Sequence, residues 1–307
     1  MKRIFLPVFV LQLFMANGQK TLQERLGYPK DSKLLILHGD DLGMSHSVDA
    51  ATIFAIEHGS VNSASIMVPC PWFSEIAAYA RAHPTADLGL HLTLTSEWNY
   101  LKWGPVASKS DVHGLLNKDG FFFSSADSVH RSASAAEVEE ELRAQIEKAK
   151  QFGIDVTHLD SHMGTLFGKS EYLKVLIKLG REYKLPVMLS KPGFLVVFNV
   201  DLDTMTNNRD ILLDMIYTAS PADYKKGMEN YYVNVLRSLQ PGVSILIFHV
   251  GYDDSELKAA TVDHVDWGAA WRQADFNFFT SENCKKLLRE QNIHLITWRE
   301  IRDKLVR

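Results

Sequence analysis

Apolar residues in this chain fall into short blocks that alternate between two periods. Leu34-Leu35-Ile36-Leu37 is a run of branched side chains too short for a helix and bounded by charge and glycine, which predicts a fully buried parallel strand. Behind it Val48, Ile53 and Ile56 recur at helical spacing, predicting a helix over 48–58 that stops at Gly59. The rhythm continues with a strand at 63–68, a helix at 72–83 closed by Pro84, and a strand at 88–94. Further on come an amphipathic helix at 137–152, a strand at 156–160, a helix at 170–183 and a strand at 186–189. A helix at 223–239, a strand at 243–250, a helix at 281–291, a strand at 294–298 and a helix at 299–306 complete the series. About seven strands with intervening helices predict an α/β fold in the form of a parallel barrel or near-barrel. A doubly wound open sheet would share the rhythm, but the first strand-to-helix turn lacks G-x-G-x-x-G, which disfavours dinucleotide binding. One stretch, 95–134, has no period and carries Trp98, Trp103 and Phe121 among Gly, Ser and Asp; loops of that length usually build a binding wall or lid.

Composition narrows the picture. With 307 residues, 46% hydrophobic and 23% charged, there is enough chain for one large α/β domain, expected over 19–307. The formal net charge of -4 and the lack of a dense Lys/Arg tract give no reason to expect nucleic acid or an anionic membrane surface as partner. The N-terminus differs: Lys2 and Arg3 precede an apolar run at 4–15, and Ala16-Asn17-Gly18 supplies a cleavage region before Gln19. This predicts a secretory signal peptide over 1–18, since the run is well short of the roughly 20 apolar residues of a span, and hence a secreted or periplasmic protein without stable membrane insertion after cleavage. Cys70 and Cys284, the only cysteines, cannot form a disulfide framework; they read as buried packing residues, with one disulfide left open.

Chemistry enters where strands end. Asp40-Asp41, His91, His158-Leu159-Asp160-Ser161-His162 and His249 all fall at or near predicted C-terminal strand ends, which a parallel barrel gathers at one mouth. Adjacent buried carboxylates need a cation or proton, and a carboxylate with two neutral imidazoles is a common open set for Zn²⁺ or another first-row divalent ion. The bland alternative has Asp40 starting a turn and Asp41 capping the next helix. Alternation puts His158, Asp160 and His162 on one side of their strand; His162 lies at the mouth, with His158 and Asp160 deeper, where they would orient a ligand.

His38-Gly39-Asp40-Asp41-Leu42-Gly43, Gly89-Leu90-His91-Leu92 and Thr157-His158-Leu159-Asp160-Ser161-His162 together resemble the three signatures of the YdjC-like carbohydrate deacetylases, relatives of the NodB-type polysaccharide deacetylases. The resemblance implies a distorted (β/α) barrel and metal-dependent removal of acetyl groups from N-acetylated sugars or oligosaccharides. It further implies Asp41, His91 and His162 as metal ligands and Asp40 as base. His249, protonated and facing the site, would then give a proton to the leaving amine. One divalent ion is expected, with Zn²⁺ favoured over Mg²⁺ by two imidazoles. Trp98, Trp103 and Trp267, read as exposed, would stack on sugar faces. The chain departs from the family pattern at His38-Gly39, where Asn-Ala is frequent, and at Met163-Gly164-Thr165, where a histidine-rich run is frequent. These departures leave the triad intact and the glycan open. Alternatives are another amidohydrolase or esterase on the same barrel, often with two metals, and a non-enzymatic periplasmic sugar-binding protein; a homodimer is also open.

Export should leave a mature chain beginning near Gln19. Mass spectrometry of the secreted protein checks this, and recovery of a soluble cytoplasmic product that retains Met1 would reject it.

Overall fold

The computed structural model describes residues 20–307, so the expected signal segment lies outside the described residues. Seven strands form one sheet: β1 (Lys33–Leu42), β2 (Ser63–Ile66), β3 (Leu88–Leu92), β4 (Leu159–Ser161), β5 (Met215–Thr218), β6 (Gly242–Phe248) and β7 (Ile293–Leu295). Their order is β4-β3-β2-β1-β6-β5, with β7 also on β1, and every pairing is parallel. The apolar run at 34–37 makes β1 the hub. Along one edge it pairs with β6 from Lys33↔Gly242 to Gly39↔Phe248. Its other edge is shared, Lys33 to Leu35 pairing with β7 and His38 to Leu42 with β2. Burial on both faces explains why β1 and β6 read as unbroken apolar runs rather than alternating ones.

The sheet curls towards closure through single bridges, Leu159↔Val187 beside β4 and Ser190↔Leu213 beside β5, making a distorted (β/α) barrel. The strand expected at 186–189 is reduced to this rung because the chain turns at Ser190 directly into the helix Lys191–Phe198. Gly227, at φ 101, divides the helix expected at 223–239 into Pro221–Lys226 and Met228–Ser238. Residues 95–134 are ordered rather than irregular: Leu116 bridges Phe122, Ala126–Ser132 is helical, and Trp98, Trp103, Val112, Leu115 and Phe122 join the main core. Buried Glu141 and Gln145, on the helix Ala135–Gln151, pin this segment by accepting from the amides of Val106, Ala107 and Thr93. Cys70 and Cys284 are free thiols in different core clusters. No helix of the described residues is long and apolar enough to cross a membrane.

One close approach is diagnostic. Behind β3, the His158 ring lies flat on Trp298, 5.1 Å between centroids, and a Cβ built on Gly89 would sit 2.3 Å from that ring. Gly89→Ala should therefore destabilise the fold by about 1–3 kcal/mol through overpacking. Thermal unfolding checks this; an unchanged Tm would show that the His158 ring can move aside.

Candidate active site

In a regular strand consecutive side chains point to opposite faces, which would separate Asp40 from Asp41. Here the register of β1 on β2 shifts between Gly39 and Leu42, and Asp41 takes a left-handed φ of 71°. The resulting bulge turns both carboxylates into one cavity at the C-terminal ends of the strands. The cap of the following helix His46–His58 is Ser45, whose Oγ accepts from the Val48 amide, so Asp41 is not a helix cap.

Asp41 Oδ1 is buried and accepts no hydrogen bond, while His162 Nδ1 and His91 Nε2 stand 3.4 Å and 3.5 Å from it. Donors that share an ion at about 2.0–2.2 Å from each are spaced in this range. The far side of each imidazole is occupied by a carboxylate: His91 Nδ1 lies 2.7 Å from Asp160 Oδ1, and His162 Nε2 lies 3.0 Å from Glu97 Oε2. Each carboxylate can hold the N–H of its histidine, so that the nitrogen facing Asp41 is the one left to ligate an ion once any second proton is displaced, the arrangement that orients imidazole ligands. Asp41, His91 and His162 are thus a buried group that can hold a metal ion, and the donors fit a first-row divalent cation. Two other groups, His38-His158-Asp160 and Asp40-His91-Asp160, also have donors close together. Their atoms are largely engaged with one another, and His38 and His158 do not line the cavity.

The remaining expected residues surround this group. Asp40 Oδ1 is held by His38 Nε2 at 3.1 Å and by the Ser65 hydroxyl at 3.3 Å. Its Oδ2 is 3.7 Å from His91 Nε2 and 3.9 Å from His249 Nε2. Asp160 lies between His91 and His38, whereas His158, whose Nδ1 meets the Thr157 hydroxyl at 3.0 Å and whose Nε2 is 3.7 Å from Asp160, is buried and does not line the cavity. His249 differs from the protonated donor expected of it: burial, reinforced by the nearby Arg272 guanidinium against the pull of Asp41 and Asp40, pushes it down to about 4, so it is neutral at rest.

The aromatic expectations also need correction. Trp98 and Trp103 are each only 3% exposed. Trp103 donates its indole N–H to the Thr95 carbonyl and lines no part of the cavity. Trp98 reaches the wall, but its N–H is directed at Met44 Sδ and Arg272 covers its ring. The segment holding both lacks a period, which suggests exposure, yet it folds into the core. Trp267, 37% exposed at the mouth and stacked on Trp271, keeps a partly free face.

Four residues were not foreseen. His38 is two positions before Asp40, so strand alternation could have placed it beside the site. Glu97 belongs to the aperiodic segment. Arg272, which donates to Asp41 Oδ2 at 2.7 Å, and Asp275, which accepts from the His249 amide and the Tyr232 hydroxyl, lie on the helix Ala269–Phe279. That helix buries Trp271, Arg272, Asp275, Phe278 and Phe279 at helical spacing, but two of the five are charged, so the stripe does not show as an apolar period in the sequence.

The chain is also similar to known proteins along most of its length. The pattern of the YdjC-like protein family matches residues 34–290. A carbohydrate deacetylase of Thermus thermophilus is 30% identical over 292 residues, covering 92% of this chain and 99% of the relative. One from Thermoanaerobacter pseudethanolicus is 26% identical over 266 residues, covering 87% and 98%. A crystal structure from Enterococcus faecalis, described as a candidate for cellobiose-phosphate cleavage, shares the fold with a TM-score of 0.72 at 24% identity, covering 88% of this chain and 99% of that one.

Burial lowers the basicity of His162, but Glu97 and Asp41 outweigh it and hold the imidazole up to about 10. Near neutral pH it carries a proton that an ion at Nδ1 must displace, so divalent-ion affinity should rise by up to roughly tenfold per pH unit between about pH 6 and 8. Calorimetry in two buffers of different ionisation enthalpy should register the released proton, and His162→Ala should abolish binding. Binding that is independent of pH and releases no proton would exclude His162 as a ligand.

Proposed function

The chain belongs to the YdjC-like family, and on that premise we propose that it is a metal-dependent deacetylase hydrolysing the acetamide of N-acetylated sugars or oligosaccharides. The observation that carries the reading is the pair of imidazoles whose far nitrogens are occupied by Asp160 and Glu97 while their near nitrogens converge on the unpartnered Asp41 oxygen. A divalent ion held by Asp41, His91 and His162, with Zn²⁺ favoured by the two imidazoles, would polarise the acyl oxygen and acidify the attacking water.

The chain's own groups supply the proton transfers. Asp40 is tethered through Oδ1 to His38 and Ser65, which leaves Oδ2 turned towards the space between His91 and His249 as the acceptor of the water proton. Neutral His249, its Nε2 3.9 Å from that oxygen, receives the proton next and returns it to the departing amine. A neutral imidazole suits this relay better than a permanently charged one, since it must first accept. Trp267 offers its free face to a sugar ring at the mouth. The charged, apolar and small-residue succession at the N-terminus supports action outside the cytoplasm.

Acetate release from a panel of N- and O-acetylated sugars tests the reaction, and the two aspartates test the roles. Asp41→Asn should lose ion and activity together. Asp40→Asn should keep the ion while turnover falls by about 10²-fold or more, the worth of a positioned general base. Full activity in metal-loaded Asp40→Asn would reject the base, and no acetate from any sugar would reject the reading.

A further inference from the structure

Asp49 is fully buried in the first turn of the helix His46–His58, and its two oxygens meet different surroundings. Oδ1 accepts the Gly43 amide at 2.5 Å. Oδ2 is buried and accepts no hydrogen bond, and the side chain within hydrogen-bonding reach of this carboxyl is another acid, Glu75 of the helix Phe73–Ala82. Around the pair stand Glu256 and Asp254 at the start of the helix Ser255–Ala260, the buried Cys70 thiol, and His46, whose Nδ1 lies 2.9 Å from Glu75 Oε1. An acid at this position would ordinarily serve as an anion facing the positive end of the helix. Other groups fill that role: Glu256 accepts the His46 amide at 3.2 Å and the Ser47 amide at 2.7 Å, and Ser45 takes the Val48 amide. Two facing carboxyls, one of them fully buried, are stable together when they share a proton. Burial pushes Asp49 well above the usual carboxylate range and Glu75 and Glu256 push the same way, outweighing the pull of the Gly43 amide.

We propose that Asp49 is a positioning residue that works as a neutral acid, Oδ1 taking the Gly43 N–H and the Oδ2 proton going to Glu75, and that this bridge holds the turn presenting Asp41 to the cavity. The turn is short. The Met44 amide closes onto the Asp41 carbonyl at 3.1 Å, and the Gly43 carbonyl takes the amide of Trp72, the residue preceding the Glu75 helix, at 2.9 Å. Both polar backbone groups of Gly43 are therefore held from outside the turn, one by Asp49 and one by Trp72. Asp41 itself has a left-handed backbone, which persists only where the surroundings over-determine it. Ionised, Asp49 would have no donor for Glu75 and would set a second negative charge against it, pushing apart the two helices that clamp the turn. The bridge belongs to the fold behind the site, and its effect on an ion rests on the reading of Asp41 as a ligand.

The test uses the full chain, first without added metal and then titrated with Zn²⁺. An acid whose pKa is raised by folding contributes its full stability below its unfolded value and loses it as pH rises towards the folded one, so the wild type should weaken in the alkaline direction from about pH 4. Asp49→Asn keeps an acceptor for Gly43 and an N–H for Glu75 but cannot ionise, so in thermal unfolding its Tm should gain on that of the wild type as pH rises. Its Zn²⁺ affinity, by calorimetry at about pH 7, should stay within about threefold of wild type, whereas Asp49→Ala, which leaves the Gly43 amide buried and unpaired, should lose about tenfold or more. If the Ala variant does not fold, the Asn variant decides alone. A Tm difference that is flat with pH, or that turns against Asn as pH rises, would show an anion at Asp49 and overturn the inference. A tenfold loss of Zn²⁺ affinity in Asp49→Asn, or unchanged affinity in folded Asp49→Ala, would overturn the positioning role. Failure of the wild type to bind Zn²⁺ would reject the ligand reading and the positioning role with it. Zn²⁺ binding that follows the expected pattern without acetate release from any sugar would support the inference and reject only the deacetylase reading.

Discussion

The arrangement of this site depends on one constraint: Asp40, Asp41, Asp160 and Glu97 are crowded around one cavity floor, and because they are largely buried their charge must be balanced by neighbouring groups. Among the described residues Arg272 is the permanent cation in contact with them, through Asp41 Oδ2. The imidazoles do the rest. His38 lies between Asp40 and Asp160, His91 between Asp160 and Asp41, and His162 between Asp41 and Glu97, so that carboxylates and histidines alternate along a buried chain. Despite burial, neighbouring carboxylates hold His38 up to about 9 and His162 up to about 10. A divalent ion held by Asp41, His91 and His162 would replace such protons as the source of positive charge, so on the proposed reading ion binding and charge balance are one requirement.

That requirement explains backbone features that would otherwise be costs. Asp41 occupies a left-handed conformation, and β1 gives up regular pairing with β2 at that point. A strand in perfect register would send one of the two carboxylates away from the cavity. The bulge is paired with support on the other edge, where β6 remains in register up to Gly39↔Phe248. Phe248 in turn stacks on Phe279 with centroids 3.6 Å apart, so the strand next to the bulge is anchored by the helix that carries Arg272 and Asp275. The irregular point of the sheet is therefore fixed from outside by packing and from inside by charge.

The barrel was legible because burial on both faces of β1 and β6 leaves an apolar run that no surface strand would have, and because Ser170–Tyr183 shows a clean helical stripe. The polar strand ends were legible for a related reason: Asp40, His91 and His249 interrupt or close such runs, where an ionisable group is costly unless it has a purpose. What could not be read was information without a period. Arg272 and Glu97 act through tertiary contacts at sequence separations of 231 and 65 residues, and neither stands on a strand. Trp103 and Trp98 show the opposite error: polar neighbours in sequence made them look exposed, while Glu141 and Gln145, themselves buried, satisfy the loop backbone and let it pack inward.

Arg272 shows how a single charge can set several properties of such a site. It occupies Asp41 Oδ2 at 2.7 Å, so only Oδ1 is available to an ion and the carboxylate cannot chelate with both oxygens. Asp41 would therefore hold an ion through Oδ1 alone, and the ion's chemistry would be to activate water and the acyl group of the substrate. Against burial, the guanidinium keeps the Asp41 carboxyl well below its usual range, so that it is ionised and ready to take a cation. Across the cavity the same charge adds to burial in keeping His249 neutral. Its Nε is tied to the Trp267 carbonyl, so the residue at the mouth with a free aromatic face is linked by one side chain to the carboxylate at the floor. Replacing it with lysine would retain a charge but not the fork that reaches both, because an ammonium offers a point rather than two separated donors. The position thus calls for planar geometry as well as positive charge, and this is why a buried arginine is found there rather than a second histidine.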